Sequence, residues 1–191
     1  MKQVVVIAGP AGSGKDTIAK EIVRRFDNVS LMVTATTRLK RPGEMEGINY
    51  YFLSKEKFLE ELEKGNILEY YHRPETDTYY GTYKLDLDMR LESGKIVIAV
   101  IQIVGAKYLK EHYNATTLFI MPPSLDAFER RLRARSPMSE SEWAERQKFT
   151  EEEVKREAGW YDHHIQNEDG KLEDAVNQVV EILRKEGYVL V

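Results

Sequence analysis

A glycine-rich stretch near the N-terminus limits the possible folds of this chain more than any other feature. Residues Gly9–Thr17 read GPAGSGKDT, and the run Val4–Ala8 before them is short, apolar and mostly β-branched. Such a run is typical of a buried parallel strand. Apolar side chains then recur at helical spacing and predict a helix from about Asp16 to Arg25. A strand, a glycine loop and a helix in this order predict a phosphate-binding loop rather than a tight turn that is merely rich in glycine.

The chemistry of the loop follows from its residue types. Glycines let the backbone curl around a phosphate so that several N–H groups point at it, and the next helix adds its positive N-terminal end. Lys15 is expected to reach the β- and γ-phosphates as a point charge. Asp16 stands where the pattern has a Mg²⁺-binding Ser or Thr, so Asp16 and Thr17 are the candidate metal ligands. The residues expected to bind the triphosphate are Gly9, Ala11, Gly12, Ser13, Gly14, Lys15, Asp16 and Thr17.

Length and charge set the broad class. The 191 residues fit one α/β domain, and 28 Lys and Arg against 32 Asp and Glu give no indication of a nucleic-acid or membrane partner. The absence of cysteine excludes disulfides, a thiol nucleophile and cysteine zinc sites, and it is compatible with a reducing compartment. The apolar runs are too short to cross a bilayer, and the chain begins directly with a strand rather than a signal peptide. We therefore expect a cytoplasmic protein.

Two clusters in the first half of the chain have more than one interpretation. Arg38, Lys40 and Arg41 lie in a turn broken by Pro and Gly. They form either a solvated loop or a clamp for an anion, because arginine binds phosphate oxygens through two nitrogens. Most of the tyrosines lie between Tyr50 and Tyr83. Clustered tyrosines are usually half-buried sheet residues, but they also suit stacking on a base, as in a sub-domain that covers a second substrate.

The remaining pattern alternates between strands and helices. Predicted strands cover residues 31–33, 49–53, 67–71, 96–101 and 117–121, with a short last strand at Ile165. Predicted helices follow Ser54 and Ser124 and cover about 85–91, 139–158 and 172–183, while residues 79–82 are placed in a turn. The run 96–101 is the most apolar and predicts a central strand, so Gln102 at its carboxyl end is a candidate ligand-binding residue.

Three arginines in the second half of the chain also have two interpretations. They form either surface ion pairs with nearby glutamates, which is the usual role of exposed helical arginines, or a mobile lid over phosphates. Phosphoryl transfer mainly needs two positioned substrates and neutralised charge, and mobile arginines suit that task. The arginines are Arg131, Arg135 and Arg146, and the glutamates are Glu142, Glu145 and Glu151.

In their order and spacing, these motifs resemble the guanylate kinase family over nearly the whole chain. The matching pieces are Gly9–Lys15, Thr36–Arg38 with Arg41–Glu44, Gly47 with Tyr50, Leu68–Glu69, Tyr79–Thr82, Gly105–Ala106, 122–124, Arg131–Leu132 with Arg135, Arg146 and Asn167. The resemblance implies a three-layer α/β/α P-loop kinase with a parallel core sheet. It divides the single domain into a core (1–33, 84–133 and 160–191), an inserted NMP-binding sub-domain (about 34–83) and an arginine-rich lid (about 134–159).

The resemblance also implies an activity and roles for particular residues. The activity is ATP- and Mg²⁺-dependent phosphorylation of a nucleoside monophosphate, most simply GMP or dGMP. The expected partners are small-molecule nucleotides, not nucleic acid or a membrane, and the expected state is a monomer or homodimer. Lys15, Arg38, Arg135 and Arg146 are the implied catalytic residues, and Arg131 and Asn167 join the loop in binding ATP. The implied acceptor-binding residues are Thr34, Arg38, Arg41, Tyr50, Glu69, Tyr80, Thr82 and Gln102.

Two positions depart from the family pattern, which has Asp-x-Asp where this chain has Val100 and Gln102. One hypothesis is that Asp16 supplies the carboxylate near Mg²⁺ that Val100 cannot supply. A second is that Gln102, a donor as well as an acceptor, admits bases other than guanine. The alternative activities are phosphorylation of a sugar phosphate such as ribose 1,5-bisphosphate and an NMP kinase with altered base preference. A non-catalytic peptide-binding module is a third class, whose members lack the working phosphate loop that this chain retains.

Overall fold

A computed structural model of the protein describes residues 2–122, 124–135 and 139–191, without the side chains of Leu125, Arg135, Arg146, Phe149 and Glu153. The strands in these residues are β1 (Val4–Ala8), β2 (Val29–Leu31), β3 (Ala35–Thr36), β4 (Tyr51–Phe52), β5 (Ile67–Arg73), β6 (Thr78–Tyr83), β7 (Ile96–Val100), β8 (Thr116–Met121) and β9 (His163–Gln166). The helices are α1 (Lys15–Arg25), α2 (Lys55–Glu63), α3 (Lys84–Glu92), α4 (Ile103–Tyr113), α5 (Leu125–Arg135), α6 (Glu140–Glu157) and α7 (Leu172–Lys185). Two short 3-10 helices cover Pro74–Thr76 and Ala158–Trp160.

Five parallel strands form the central sheet in the order β2-β7-β1-β8-β9. Every residue of β1 is at most 3% exposed, because helices cover both faces of the strand. Helices α1 and α7 pack on one face, where Ile22 and Val179 are fully buried. Helices α3, α4 and the end of α6 pack on the other face, where Leu87 and Leu109 are fully buried. The three-layer α/β/α fold class with a parallel core sheet is therefore confirmed.

The strand order brings the carboxyl ends of three strands together. β1 pairs with β7 on one side and with β8 on the other. Because the strands are parallel, the glycine loop after β1 and Gln102 after β7 lie at the same edge of the sheet. Ligands of open α/β sheets bind at this edge.

Residues 35–83 build a second sheet in the order β4-β3-β6-β5. β6 pairs antiparallel with both β3 and β5, so that Tyr71 of β5 lies opposite Tyr80 of β6. Helix α2 covers one face of this sheet, where Phe58 is fully buried. Its N-cap is Ser54, as predicted, and the hydroxyl of Ser54 accepts a hydrogen bond of 3.1 Å from the backbone N–H of Lys57.

Three parts of the fold differ from the sequence-based expectation. Residues 79–82 were predicted to form a turn but lie in β6, because they pair with strands on both sides; the turn is the 3-10 helix before them. The strand predicted at 31–33 ends at Leu31, since the N–H of Val33 donates to the Asp86 carboxylate at 2.8 Å. Helix α4 was not predicted; its N-cap, Gln102, makes no capping hydrogen bond through its side chain, so the sequence carries no start signal there.

Helices α5 and α6 pack against each other, and α5 lies beside the glycine loop, where a Cβ on Gly12 would be 3.2 Å from Leu132. They pack through Phe128, Leu132 and Trp143, which are at most 8% exposed. Ser139 and Glu142 form a capping box that starts α6 close to the predicted position. Among the described residues, no helix combines the length and apolarity needed to cross a bilayer.

Candidate active site

The glycine loop has the backbone geometry of an anion cradle. Gly12 and Gly14 have φ values of 86° and 88°, which glycine adopts without strain. Gly9 passes so close to β8 that a Cβ there would lie 2.2 Å from the carbonyl oxygen of Ile120. Gly14 immediately precedes α1, so the loop N–H groups and the helix N-terminus lie together. The Nζ of Lys15 lies over the loop, 3.4 Å from the carbonyl oxygen of Pro10.

Two side chains from the second half of the chain hold the loop through its carbonyl groups. The amide nitrogen of Asn167 donates to the carbonyl oxygen of Ser13 at 2.8 Å, and Asn167 is only 6% exposed. The guanidinium of Arg131 donates to the carbonyl oxygens of Gly12 and Ser13 at 3.4 Å each, and it forms an ion pair with Asp169 at 2.7 Å. With these carbonyls bonded, the loop can present its N–H groups to a ligand.

Arg131 therefore has a different partner from the glutamates of α6 that the sequence suggested. Its ion pair with Asp169 fixes it beside the loop. The other two arginines of that group, Arg135 and Arg146, stand on α5 and α6. Their side chains lie outside the described part of the structure, so their implied catalytic roles stay predictions.

Four residues of the basic turn and its surroundings form one cluster. The guanidinium of Arg38 donates to both carboxylate oxygens of Glu44, at 2.7 and 3.0 Å. It lies 5.4 Å from the ring centre of Tyr50, and the rings of Tyr50 and Tyr80 are 6.1 Å apart. Hydrogen bonds from Arg38 hold the pKa of Glu44 below its usual value. The phenol groups of Tyr50 and Tyr80 thus lie in the same cluster as Arg38, and they would add hydrogen-bond donors to the predicted anion clamp.

The side chain of Arg41, by contrast, is exposed, while its backbone N–H donates to Glu44 at 2.8 Å. The structure therefore places Arg41 at the rim of the cluster rather than inside it.

A second cluster on the same sheet surrounds the carboxylate of Glu69. The hydroxyl of the fully buried Thr82 donates to Glu69 Oε1. Burial raises the pKa of Glu69 above 4.5, although hydrogen bonds from Thr82 act in the opposite direction. Thr82 follows Gly81 on β6, and Gly81 lies opposite Ala35, the residue after Thr34. Glu69 and Thr82, two of the residues implied to bind the acceptor, are therefore in direct contact.

Helix α4 approaches this carboxylate through a glycine. A Cβ on Gly105 would lie 2.5 Å from Glu69 Oε1 and 2.8 Å from Ile101 Cδ1. Gln102 is exposed at the N-cap of the same helix, one turn from Gly105. The first turn of α4 thus packs directly against the carboxylate of Glu69.

The chain is similar to known proteins over nearly its whole length. Residues 1–186 match the family model described as guanylate kinase. The chain belongs to the guanylate kinase family. Curated guanylate kinases from Clostridioides difficile and Carboxydothermus hydrogenoformans are 42% and 38% identical to it, over 88% and 96% of this chain and 81% and 88% of their own lengths. A crystal structure of guanylate kinase from Anaplasma phagocytophilum has a TM-score of 0.75 at 28% identity, covering 98% of this chain and 87% of that one.

The candidate site of this guanylate kinase family member also contains supporting residues that the sequence analysis did not assign to it. Glu44 pairs with Arg38, Asp169 pairs with Arg131, and Gly105 makes room for Glu69. The motif around Arg41 contains Glu44, so its sequence offered a signal for that residue. Asp169 had none, because its partner is 38 positions away and is known only from the folded chain.

Proposed function

We propose that this protein transfers the γ-phosphoryl group of ATP to the phosphate of GMP. Family membership supports this activity, because relatives that match most of the chain are guanylate kinases. The structural observation that carries the proposal is that the fold holds two groups suited to phosphate, the glycine loop with Lys15 and the cluster of Arg38, Tyr50 and Tyr80. Burial and the neighbouring Tyr80 raise the pKa of the Tyr50 hydroxyl, so this phenol stays protonated and can donate to a phosphate oxygen. Transfer between two bound phosphates requires one such group for the donor and another for the acceptor.

Glu69 is proposed to read the base of the acceptor. Guanine presents N–H donors at the adjacent positions N1 and N2, and an ionised carboxylate can accept from both. Adenine presents an acceptor at N1, which a carboxylate repels. The hydroxyl of Thr82 orients the carboxylate by donating to one of its oxygens. Thr34 and Gln102 are proposed to complete the surroundings of the base.

The phosphate of the acceptor and the triphosphate of ATP are proposed to bind two separate sets of residues. The acceptor phosphate would bind Arg38, Arg41, Tyr50 and Tyr80, and it would compete with Glu44 for the guanidinium of Arg38. The triphosphate would bind the N–H groups of the loop and the ammonium of Lys15, while Arg131 and Asn167 keep the loop in shape. Arg135 and Arg146 are proposed to neutralise charge on the transferred group.

The first turn of α1 has oxygen ligands that fit Mg²⁺. The Asp16 side chain is 66% exposed, and Thr17 beside it is also exposed. Mg²⁺ in kinases is usually held by one or two carboxylates together with waters and substrate phosphates. The described residues contain no group of three His, Cys, Asp or Glu side chains that could hold a metal by themselves. We propose that Asp16 and Thr17 hold the ion, which would neutralise charge on the phosphates of ATP.

A coupled assay of ADP release over a panel of acceptors tests the proposed activity. The panel contains GMP, dGMP, IMP, AMP and ribose 1,5-bisphosphate. We expect kcat/KM to be highest for GMP and dGMP, and a higher value for the sugar phosphate would overturn the assignment. IMP lacks the 2-amino group, so equal values for IMP and GMP would support a relaxed base preference at Gln102.

We also propose that the enzyme acts on free nucleotides in the cytoplasm, as a monomer or a homodimer. The cysteine-free composition and the bacterial origin of the relatives support this compartment. Size-exclusion chromatography with light scattering measures the oligomeric state directly.

Substitution of Gly105 by alanine is expected to raise the KM for GMP about tenfold while the KM for ATP stays unchanged. The added Cβ would lie 2.5 Å from Glu69 Oε1, so the carboxylate must move away from the base. Even a small displacement of a group that positions the substrate makes the reaction much less efficient. Gly159→Ala is the matched control, because a Cβ there meets nothing within 4 Å and φ is not positive. Steady-state kinetics of both variants check this, and an unchanged KM in Gly105→Ala would contradict the proposed role of Glu69.

The affinity for GMP is expected to fall as the pH is lowered. The fall should begin at a higher pH than it would if Glu69 had the pKa of an ordinary glutamate. Burial raises the pKa of Glu69 above 4.5, and only the ionised form accepts both guanine donors. Affinity should fall about tenfold per pH unit below that raised pKa. The same shift affects stability, because the pKa of Glu69 is higher in the folded state than in the unfolded state. Above the raised pKa, the ionised carboxylate lowers the free energy of unfolding. This destabilisation disappears as the pH falls through the raised pKa toward 4.5. Calorimetric titration of GMP across this range checks the trend, with Glu69→Gln expected to lack it.

A further inference from the structure

Two adjacent tyrosines of β5 lie on opposite faces of the second sheet. Side chains alternate along a strand, and residues paired across an antiparallel ladder share a face. Tyr70 lies opposite Gly81, and Tyr71 lies opposite Tyr80. The ring of Tyr70 packs toward α2, 6.4 Å from the ring of Phe58 and 5.8 Å from that of Tyr79. Tyr71 is therefore on the other face, together with Tyr80.

The face that carries Tyr71 also carries the two proposed acceptor clusters. Glu69 lies on this face too, because its carboxylate accepts a hydrogen bond from Thr82, which stands two residues after Tyr80 on β6. Tyr80 is the cross-strand neighbour of Tyr71, with Cβ atoms about 5 Å apart. The ring of Tyr80 in turn lies 6.1 Å from that of Tyr50. Tyr71 thus stands on the edge strand of the sheet, directly across from Tyr80 and next along the same face from Glu69.

The side chain of Tyr71 lacks the partners that its neighbours have. Tyr71 is 37% exposed, although it lies within a strand of the sheet. Across the described ranges, no ring, cation or hydrogen-bonding group is recorded against its side chain, whereas Tyr70, Tyr79 and Tyr80 each have ring partners. A partly exposed ring without partners is available to a flat ligand, because aromatic side chains gain most of their energy from contact area.

We propose that the ring of Tyr71 packs against the nucleoside part of the acceptor and is a third determinant of acceptor binding. This inference depends on the proposed GMP kinase activity. The base would meet Glu69 at its hydrogen-bonding edge and Tyr71 at its apolar surface, while the phosphate reaches Tyr80 and Arg38. Such a contact is made in the ground state and the transition state alike, so it should act on KM rather than kcat.

Three variants separate this role from a structural one. Tyr71→Ala removes the ring, Tyr71→Phe keeps the ring without the hydroxyl, and Tyr70→Ala removes the neighbouring ring on the opposite face. The measurements are kcat, the KM for GMP and for ATP, and the Kd of GMP by calorimetry without ATP. Thermal unfolding of each variant reports stability.

We expect Tyr71→Ala to raise the KM and Kd for GMP about tenfold, since loss of one base–aromatic contact has about this effect. The KM for ATP and kcat should stay within about twofold to threefold of the wild type. Tyr71→Phe should stay near the wild type, and Tyr70→Ala should lower the unfolding temperature with the KM for GMP unchanged.

The inference is overturned if Tyr71→Ala binds GMP as well as the wild type does, or if Tyr71→Phe loses as much affinity as Tyr71→Ala. An equal rise in the KM for GMP in Tyr70→Ala would also overturn it, because the effect would then come from the strand rather than from the ring. The wild type separates the two levels of proposal. If it phosphorylates GMP and only these variants disagree, the role of Tyr71 is wrong; if it does not phosphorylate GMP, the proposed function is wrong and this inference fails with it.

Discussion

Replacement of Lys15 by methionine is expected to lower kcat of the proposed reaction by about two to three orders of magnitude. The ammonium group lies over the glycine loop, 3.4 Å from the carbonyl oxygen of Pro10 and 3.8 Å from a carboxylate oxygen of Asp16. Methionine keeps the apolar stem but removes the charge that would stabilise the transferred phosphoryl group. The expected loss corresponds to about 3–4 kcal/mol of transition-state stabilisation.

Lys20 offers a matched control on the same helix. It is exposed on α1, and the structure places it outside both phosphate-handling clusters, so Lys20→Met should retain kcat within about twofold. Steady-state kinetics at saturating ATP and GMP compare the two variants. A Lys15→Met enzyme that kept more than about a tenth of the wild-type kcat would show that the ammonium does not reach the transferred group.

Glu69→Gln is the second substitution with a large expected effect, a loss of about a hundredfold in kcat/KM for GMP. Glutamine has nearly the same shape, but it places an NH₂ donor where the carboxylate has an acceptor. One guanine N–H then faces a donor at a half-buried side chain, and an N–H group that loses its acceptor away from water costs about 1–3 kcal/mol. Discrimination against AMP should decrease in parallel, because adenine has an acceptor at N1. The measurement is kcat/KM for GMP and AMP in the wild type and the variant.

Stability distinguishes recognition from a structural role at this position. The ionised Glu69 is buried at a cost, as its raised pKa indicates, so Glu69→Gln should not lower the unfolding temperature at neutral pH. Glu63→Gln, an exposed change on α2, should alter neither kinetics nor stability. If Glu69→Gln kept the wild-type preference for GMP over AMP, the base would be read elsewhere in the cleft.

The elements around the site differ in how far the sequence could predict them. The glycine loop, the start of α1 and the N-cap at Ser54 depend on residues within about one helical turn, and all three were predicted correctly. Tyr79–Thr82 were placed in a turn, because their strand character comes from pairing with β3 and β5 rather than from their own pattern. α4 was missed for a related reason: its apolar start continues an apolar strand, and no side chain caps it.

The sequence by itself determined the fold class, the phosphate loop and the chemical groups available to the site. Each of these depends on the types of residues that stand close together along the chain. Only the tertiary structure decided which groups meet. Asn167 bonds to Ser13 across 154 positions, Gly105 gives Glu69 its space, and Tyr71 rather than Tyr70 shares a face of the sheet with Tyr80. The physical reason is that crossover connections and strand register select these partners, and a shift of one residue in register would turn every side chain of β5 to the other face.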